Sequence, residues 1–392
     1  MIARTRRVDA EVDLVALAGG DGVVFERGRA GLAGRGVALR VPAEPDAIAA
    51  ALAGIEVDDE VGLPGCGPVA FAALPFDPDA PSEAIIPTEI WGRADDGTRW
   101  KTELEGMGGE RAPAFPRERA SRFEVASARA PEAYCELVEQ ATKAMADGPL
   151  RKVVLAREVT VTADAPIDVT DVLGRLRGAY PGCFVFHVDG FIGASPELLV
   201  SRSGDVVRSH PMAGTAPRGG DPTTDARLAA SLLASTKDRE EHQITIDMVH
   251  DTLLPWCSYV DYEAEPSIVP VANLQHLATL VEGRLSQPPP SVLELAKALH
   301  PTPAVCGEPQ ADALAFIRAH EGLDRRRYAG TVGWVDGAGN GTWAVSVRVA
   351  EIDGPTAHLY AGCGIVADSD PEVELAETRV KLQAMLTAIV RA

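Results

Sequence analysis

"YAGTVGWVDGAGNGTWAVSVRVAEIDGPTAHLYAGCGIV", residues 328–366, decides the fold class. It contains three runs in which β-branched and aromatic residues alternate with polar or small ones, joined by the turns "DGAGNG" and "DGP". A period of two puts one face of each run into a core, and turns this short join antiparallel neighbours, so the stretch predicts a β-meander. Upstream, "RKVVLAREVTV", "CFVFHVD", "FIGASPELLVSRSG" and "VVRSHPMAG" predict a first meander of consecutive antiparallel strands.

Helical patterns surround these runs. "PEAYCELVEQATKAMADG" (131–148) is amphipathic, with proline in its first turn and glycine after its end. Residues 222–256 read as helical, 274–286 as mixed strand and turn, 291–299 and 309–320 as short helices, and a long helix runs from Pro371. The first 105 residues or so read as strands with one helix near "PDAIAAALAG", and 106–123, rich in glycine, proline and charge, as a connecting loop. Strands and helices without regular βαβ alternation indicate an α+β protein with antiparallel sheets.

The chain has 392 residues, 46% of them hydrophobic, enough for a large core in one domain or two. A formal net charge of -20 argues against nucleic acid or an anionic membrane as partner, whereas a small anionic ligand needs only local positive charge. Cysteines 66, 135, 183, 257, 306 and 363 show no C-x-x-C pairs, so a zinc ribbon or disulfide scaffold is not expected and a reducing cytoplasm is the simpler location. Asp9, Glu11 and Asp13 interrupt what would have to be the apolar part of a signal peptide, and no run approaches the roughly 20 apolar residues of a membrane span. With no sustained heptads, a monomer is expected.

Two helical patterns carry carboxylates where apolar residues would be expected. In "KDREEHQITIDMVHD" (237–251), Glu241 shares a stripe with Ile244, Thr245 and Met248. A buried carboxylate is normally paired or bound to metal, so either Glu241 is neutralised or the stripe is phased differently. In "PEVELAETRVKLQAMLTAIV" (371–390), Glu374, Glu377 and Lys381 share a stripe, and the glycine-punctuated "AGCGIVADSDP" before it reads as a turn at a helix N-terminus. For each glutamate alone, a solvated helix face is the simpler account. A divalent cation held by two carboxylates and by ligand oxygens would suit both helices, and magnesium is commonly bound in that way.

The blocks "KVVLARE", "GASPELLVSR", "HPMAGTAPRG", "KDREEH", "LQHLATLVEGRL", "LHPTPAVCGEP", "YAGTVGWVD", "WAVSVRVA" and "YAGCGIVADSDPEVELAETRVK" occur in an order and spacing that resemble the chorismate-utilising enzymes. The resemblance spans roughly residues 130 to 390. It divides the chain into 121–392, a chorismate-binding catalytic region, and 1–120, a weakly matched N-terminal part of the same fold whose one family-like element is "ALPFDP". Within the family it is greatest to the isochorismate synthases, which convert chorismate to isochorismate with Mg2+ for siderophore or menaquinone biosynthesis. It implies a single α+β domain of antiparallel sheets packed face to face, with helices outside.

The resemblance also implies site roles. Lys152 would be the general base and Glu197 the general acid for adding water at one ring carbon and expelling hydroxyl from another. Val154 and Ala156 share a strand face with Lys152; an apolar setting would lower the pKa of the lysine, and nearby carboxylates would oppose that shift. Partial burial of Glu197 would raise its pKa. Glu241 and Glu377 would hold Mg2+, with Glu374 acting through water. The ring carboxylate of chorismate would meet the metal, Gly214, Thr215 and Lys381; the enolpyruvyl carboxylate would meet Arg348, Tyr328 and the backbone of Gly362. Arginine suits that post because its planar fork binds carboxylate in two places. Val345, Val347 and Val349 alternate with Arg348 and leave open which face is buried. Glycines 362 and 364 would let the backbone approach the ligand, His276 would line the pocket near the leaving hydroxyl, and Ala304 would shape its wall.

Two positions narrow the reaction. Lys152 stands where the anthranilate synthases, which take ammonia from a glutaminase partner, carry glutamine, so no glutaminase subunit is expected. Ala213 stands where aminodeoxychorismate synthases carry a nucleophilic lysine. Salicylate synthases, which go on to eliminate pyruvate from isochorismate, share the lysine base and Tyr328; they are the nearest alternative. A non-catalytic chorismate-binding protein is a second, and it predicts loss of at least one of Lys152, Glu197, Glu241 and Glu377, all of which are present.

Overall fold

The computed structural model describes residues 1–106, 119–271 and 274–390. Most of the connecting loop expected at 106–123 therefore lies outside the described residues. Among the described residues, strands form a thirteen-stranded sheet, a nine-stranded sheet and a small three-stranded sheet. Pairing is antiparallel throughout except between Ile2–Arg7 and Glu56–Asp59, which run parallel. This is the α+β architecture with antiparallel sheets that the alternating runs predict.

The core between the two large sheets contains Phe25, Phe71, Phe186, Phe191 and Trp343, all at most 2% exposed. Burying each such side chain contributes roughly 1.5–3 kcal/mol. On the far face of the larger sheet, Leu382, Met385 and Ile389 of the helix Pro371–Val390 pack with Leu173 and Leu176 of the helix Val169–Ala179 over Val161 and Leu359. Residues 1–105 supply strands to both large sheets; Val69–Leu74, for example, pairs with Thr331–Asp336 of the later meander. Among the described residues no helix is long and apolar enough to cross a membrane.

The expected helices at 131–148, 291–299, 309–320 and from Pro371 form, as does the one near residue 45. The 222–256 segment is two helices, Pro222–Ala234 and Thr236–Leu253. Ser235 breaks it by leaving helical geometry and capping the second helix through the N–H of Asp238. Sequence reasoning missed the helix Val169–Ala179, whose N-cap Asp168 accepts from the N–H groups of Thr170 and Asp171.

The two meanders are corrected in a way that matters for function. "FIGASPELLVSRSG" is not one strand: Phe191–Ser195 lies in the larger sheet and Leu198–Ser203 in the nine-stranded one, with Pro196 and Glu197 crossing between them. "WAVSVRVA" divides likewise into Gly341–Val345 and Val349–Asp353, with residues 346–348 crossing. Unbroken alternation hid the second crossing, because each half keeps an inward face in its own sheet; at the first, Pro196 marks the break. Arg348 is therefore not a strand residue, and the alternation of its valine neighbours does not set its direction.

Candidate active site

A cavity of about 250 Å³ opens beside the two crossings, and every site residue named from the sequence lines it. One wall is made by the crossings. They are hydrogen-bonded to each other: Val345 N–H donates to Glu197 O at 3.1 Å, and Ala194 N–H to Arg348 O at 3.1 Å. Arg348 has φ 55°, a left-handed conformation that costs a non-glycine residue on the order of 1–3 kcal/mol and is held here by the surrounding ladder.

Glu197 is 6% exposed. Its carboxylate has one long contact, from the Met212 N–H at 3.5 Å, and burial pushes its pKa up to about 7. Arg348 Nη2 lies 2.9 Å from His276 Nε2. A guanidinium only donates, so Nε2 accepts and the His276 proton sits on Nδ1, which faces Gly214 O at 3.3 Å and Thr215 Oγ1 at 3.1 Å. Burial and the Arg348 charge push His276 down to about 3. It is a neutral, fixed-tautomer link between Arg348 and the Gly214–Thr215 segment.

Helices make the opposite wall. The buried stripe of Thr236–Leu253 is His242, Thr245, Ile246, Val249 and Leu253, so the phase inferred from the sequence was about one residue off. Glu241 flanks that stripe and is also paired, its Oε1 lying 2.5 Å from Lys152 Nζ. Lys152 is 5% exposed, and the opposing carboxylate weighed in the sequence is thus at contact distance.

On the closing helix, Glu377 lies 2.7 Å from Lys381, and Lys381 Nζ donates to Gly362 O at 2.9 Å. Burial would raise the Glu377 carboxyl, but the Lys381 ammonium holds it below the usual range. Burial and the neighbouring Glu377 charge raise Glu374, which accepts from Ser369 Oγ at 2.8 Å.

Gly362 and Gly364 are not in a turn. They belong to the strand Thr356–Ile365, opposite Ala156 and Val154. Both positions are glycine because the facing side chains need the space: a Cβ on Gly362 would sit 2.9 Å from Tyr328 Oη, and one on Gly364 2.8 Å from Lys152 Cε. Tyr328 stacks on Tyr360, with ring centroids 5.5 Å apart. Ala304 lies on the wall with Val305.

Carboxylate oxygens of Glu374 and Glu377 and the sulfur of Cys363 converge within 4.8 Å of one another. Two partly buried carboxylates brought together without mutual hydrogen bonds suit a hard divalent cation. Glu241 lines the same cavity but stands outside that group, engaged by Lys152. Sequence reasoning missed Cys363, Asp238, Ser369 and Tyr360. Asp238 was within reach, because it precedes Glu241 by three on one helix face; the others meet the site through contacts distant in sequence.

The model of a family described as chorismate binding enzyme matches residues 95–390. Isochorismate synthase DhbC of Bacillus subtilis is 38% identical over 82% of this chain and 81% of its own length. Isochorismate synthase EntC of Escherichia coli is 37% identical over 81% and 80%. A crystal structure provisionally assigned as the 2,3-dihydroxybenzoate-specific isochorismate synthase DhbC of Bacillus anthracis superposes with a TM-score of 0.81 at 35% identity, covering 96% of this chain and 98% of that one. With the ordered motifs folded around one cavity and the family model matching most of the chain, the protein belongs to the chorismate-binding enzymes.

Proposed function

We propose that the protein is an isochorismate synthase, an isomerase that converts chorismate to isochorismate by adding water at one ring carbon with loss of hydroxyl from another. The observation that carries this is the Glu197 carboxyl, buried at the sheet crossing with its pKa pushed to about 7, in the same cavity as Lys152. A general acid must hold a proton at working pH, and this environment does that without a positive partner at contact distance.

Glu197 donates its proton to the leaving hydroxyl, and Lys152 takes one from the attacking water. Arg348, half-buried at the crossing and oriented by His276, offers two parallel N–H groups to a carboxylate. Tyr328 and the backbone of Gly362 stand beside it, and Lys381, with Gly214 and Thr215, lies where the second carboxylate of the substrate would be received. An acidic protein thus meets a dianion with locally concentrated positive charge. Glu377 and Glu374, whose carboxylate oxygens converge, would hold Mg2+ together with Glu241 drawn over from Lys152, which would free the lysine to act as base; the ion would supply positive charge for a substrate carboxylate.

The test is direct: purified protein is incubated with chorismate and Mg2+, and the products are separated by chromatography. Isochorismate as the main product is expected. Salicylate with pyruvate would establish a salicylate synthase instead, and no turnover with retained chorismate binding would leave a binding protein. The pathway served, siderophore or menaquinone, follows from the gene's iron-dependent expression. In the proposed setting the enzyme works in the cytoplasm as a monomer without a glutaminase subunit, and gel filtration checks the last two points.

A further inference from the structure

The strand Lys152–Ala163 loses its outer neighbour midway. Lys152 and Val153 pair with Gly307–Glu308, and residues 159–163 pair with Phe123–Ser127, but between them no strand of the described residues covers that edge. Buried N–H and C=O groups need partners; here the Cys306 carbonyl accepts from the Val154 N–H at 2.8 Å, and side chains supply the next two. Arg325 Nη2 donates to Val154 O at 2.6 Å, and Glu321 Oε1 accepts from the Ala156 N–H at 2.7 Å.

The two side chains are themselves an ion pair inside the protein. Arg325 Nη2 lies 2.6 Å from Glu321 Oε1 and Nε 2.7 Å from Oε2, and the residues are 3% and 2% exposed. Arg325 Nη1 donates to Val305 O at 3.0 Å, and the guanidinium lies 4.1 Å from the centre of the Phe76 ring. One rigid fork therefore ties Val154 to Val305, neighbouring residues that line the cavity together, and reinforces the backbone bond from the Val154 N–H to Cys306 O. Lys152 is two positions before Val154, and Ala304 directly precedes Val305.

Buried ion pairs contribute little net stability by default, because desolvation offsets the attraction, and well-packed apolar replacements are often neutral. A planar guanidinium with four of its five N–H groups engaged does fix geometry. We propose that Glu321 and Arg325 are positioning residues: they replace the missing strand segment and hold Lys152 at a set distance from the Ala304–Val305 wall. This rests on the isochorismate synthase activity proposed above.

The test compares R325K, which keeps the charge but cannot reach both carbonyls and the carboxylate, with E321L/R325M, which replaces the pair by apolar side chains. In both, kcat is expected to fall roughly tenfold to a hundredfold, as for small misplacements of catalytic groups. KM should change by less than about threefold, and the thermal midpoint of the double variant should stay near that of the wild type. Wild-type kcat per folded molecule in the double variant would overturn the proposal, as would an effect confined to thermal stability. If neither variant folds, amide exchange on the wild type decides: the Ala156 N–H belongs with the slowest-exchanging amides of its strand, and fast exchange there would overturn the proposal. An inactive wild type would instead sink the proposed activity, so the two failures are distinguishable.

Discussion

Glu197 and Glu377 face one cavity, yet their surroundings push them in opposite directions. Glu197 sits where the chain crosses between sheets, walled by backbone and apolar side chains, and its pKa rises to about 7. Glu377 sits on a helix with Lys381 one turn along, 2.7 Å away, and is held below the ordinary range. One wall keeps a proton and the other keeps a charge. In the function proposed above, environment alone gives two carboxyl groups of the same chemistry different work, acid on the sheet side and cation holder on the helix side.

The largest effects should come from the sheet side. E197Q is expected to lower kcat by about 10² to 10⁴, the range for loss of a general acid, with no recovery on adding Mg2+. Recovery in high Mg2+ would erase the contrast between the walls. On the helix side, E377Q should weaken Mg2+ binding roughly tenfold to a hundredfold by calorimetry, with activity restored as the ion concentration rises. A variant that binds Mg2+ like the wild type would remove Glu377 from the metal set.

R348K probes the crossing without touching its acid. A lysine cannot reproduce the two-pronged contact, so KM for chorismate should rise about tenfold, a loss in line with one charge-assisted hydrogen bond. A change in kcat alone would mean that Arg348 acts on the transition state and not on binding.

The smallest effect is in the pH profile. Glu197 is protonated below its pKa and loses its proton above it, so kcat/KM should decline as pH rises through about 7, and this limb should be absent in the residual activity of E197Q. A profile flat from pH 6 to 8 would mean that the proton comes from elsewhere.

The helix wall was largely legible in the sequence. Spacing by three, four and seven places Glu374, Glu377 and Lys381 on one face of any helix they share, and only the phase around Glu241 needed correction. The crossing wall was legible only through ordered motifs. In "VSVRVA" alternation continues on both sides of the break, and in "ASPELL" Pro196 marks a break without saying that the chain leaves one sheet for another. The Glu321–Arg325 pair had no sequence signature beyond an i, i+4 spacing that usually marks a solvated helix face.

By itself the sequence determined most of the helices and strands, the antiparallel class, the net negative charge and, through motif order, the residues expected to meet at the site, since periodicity, turn chemistry and motifs are read directly along the chain. Tertiary structure alone decided which wall each residue joined, that Lys152 meets Glu241, and that Glu197 holds its proton near pH 7. Those outcomes depend on desolvation and on distances between residues far apart along the chain, and both arise only when the two sheets close on each other.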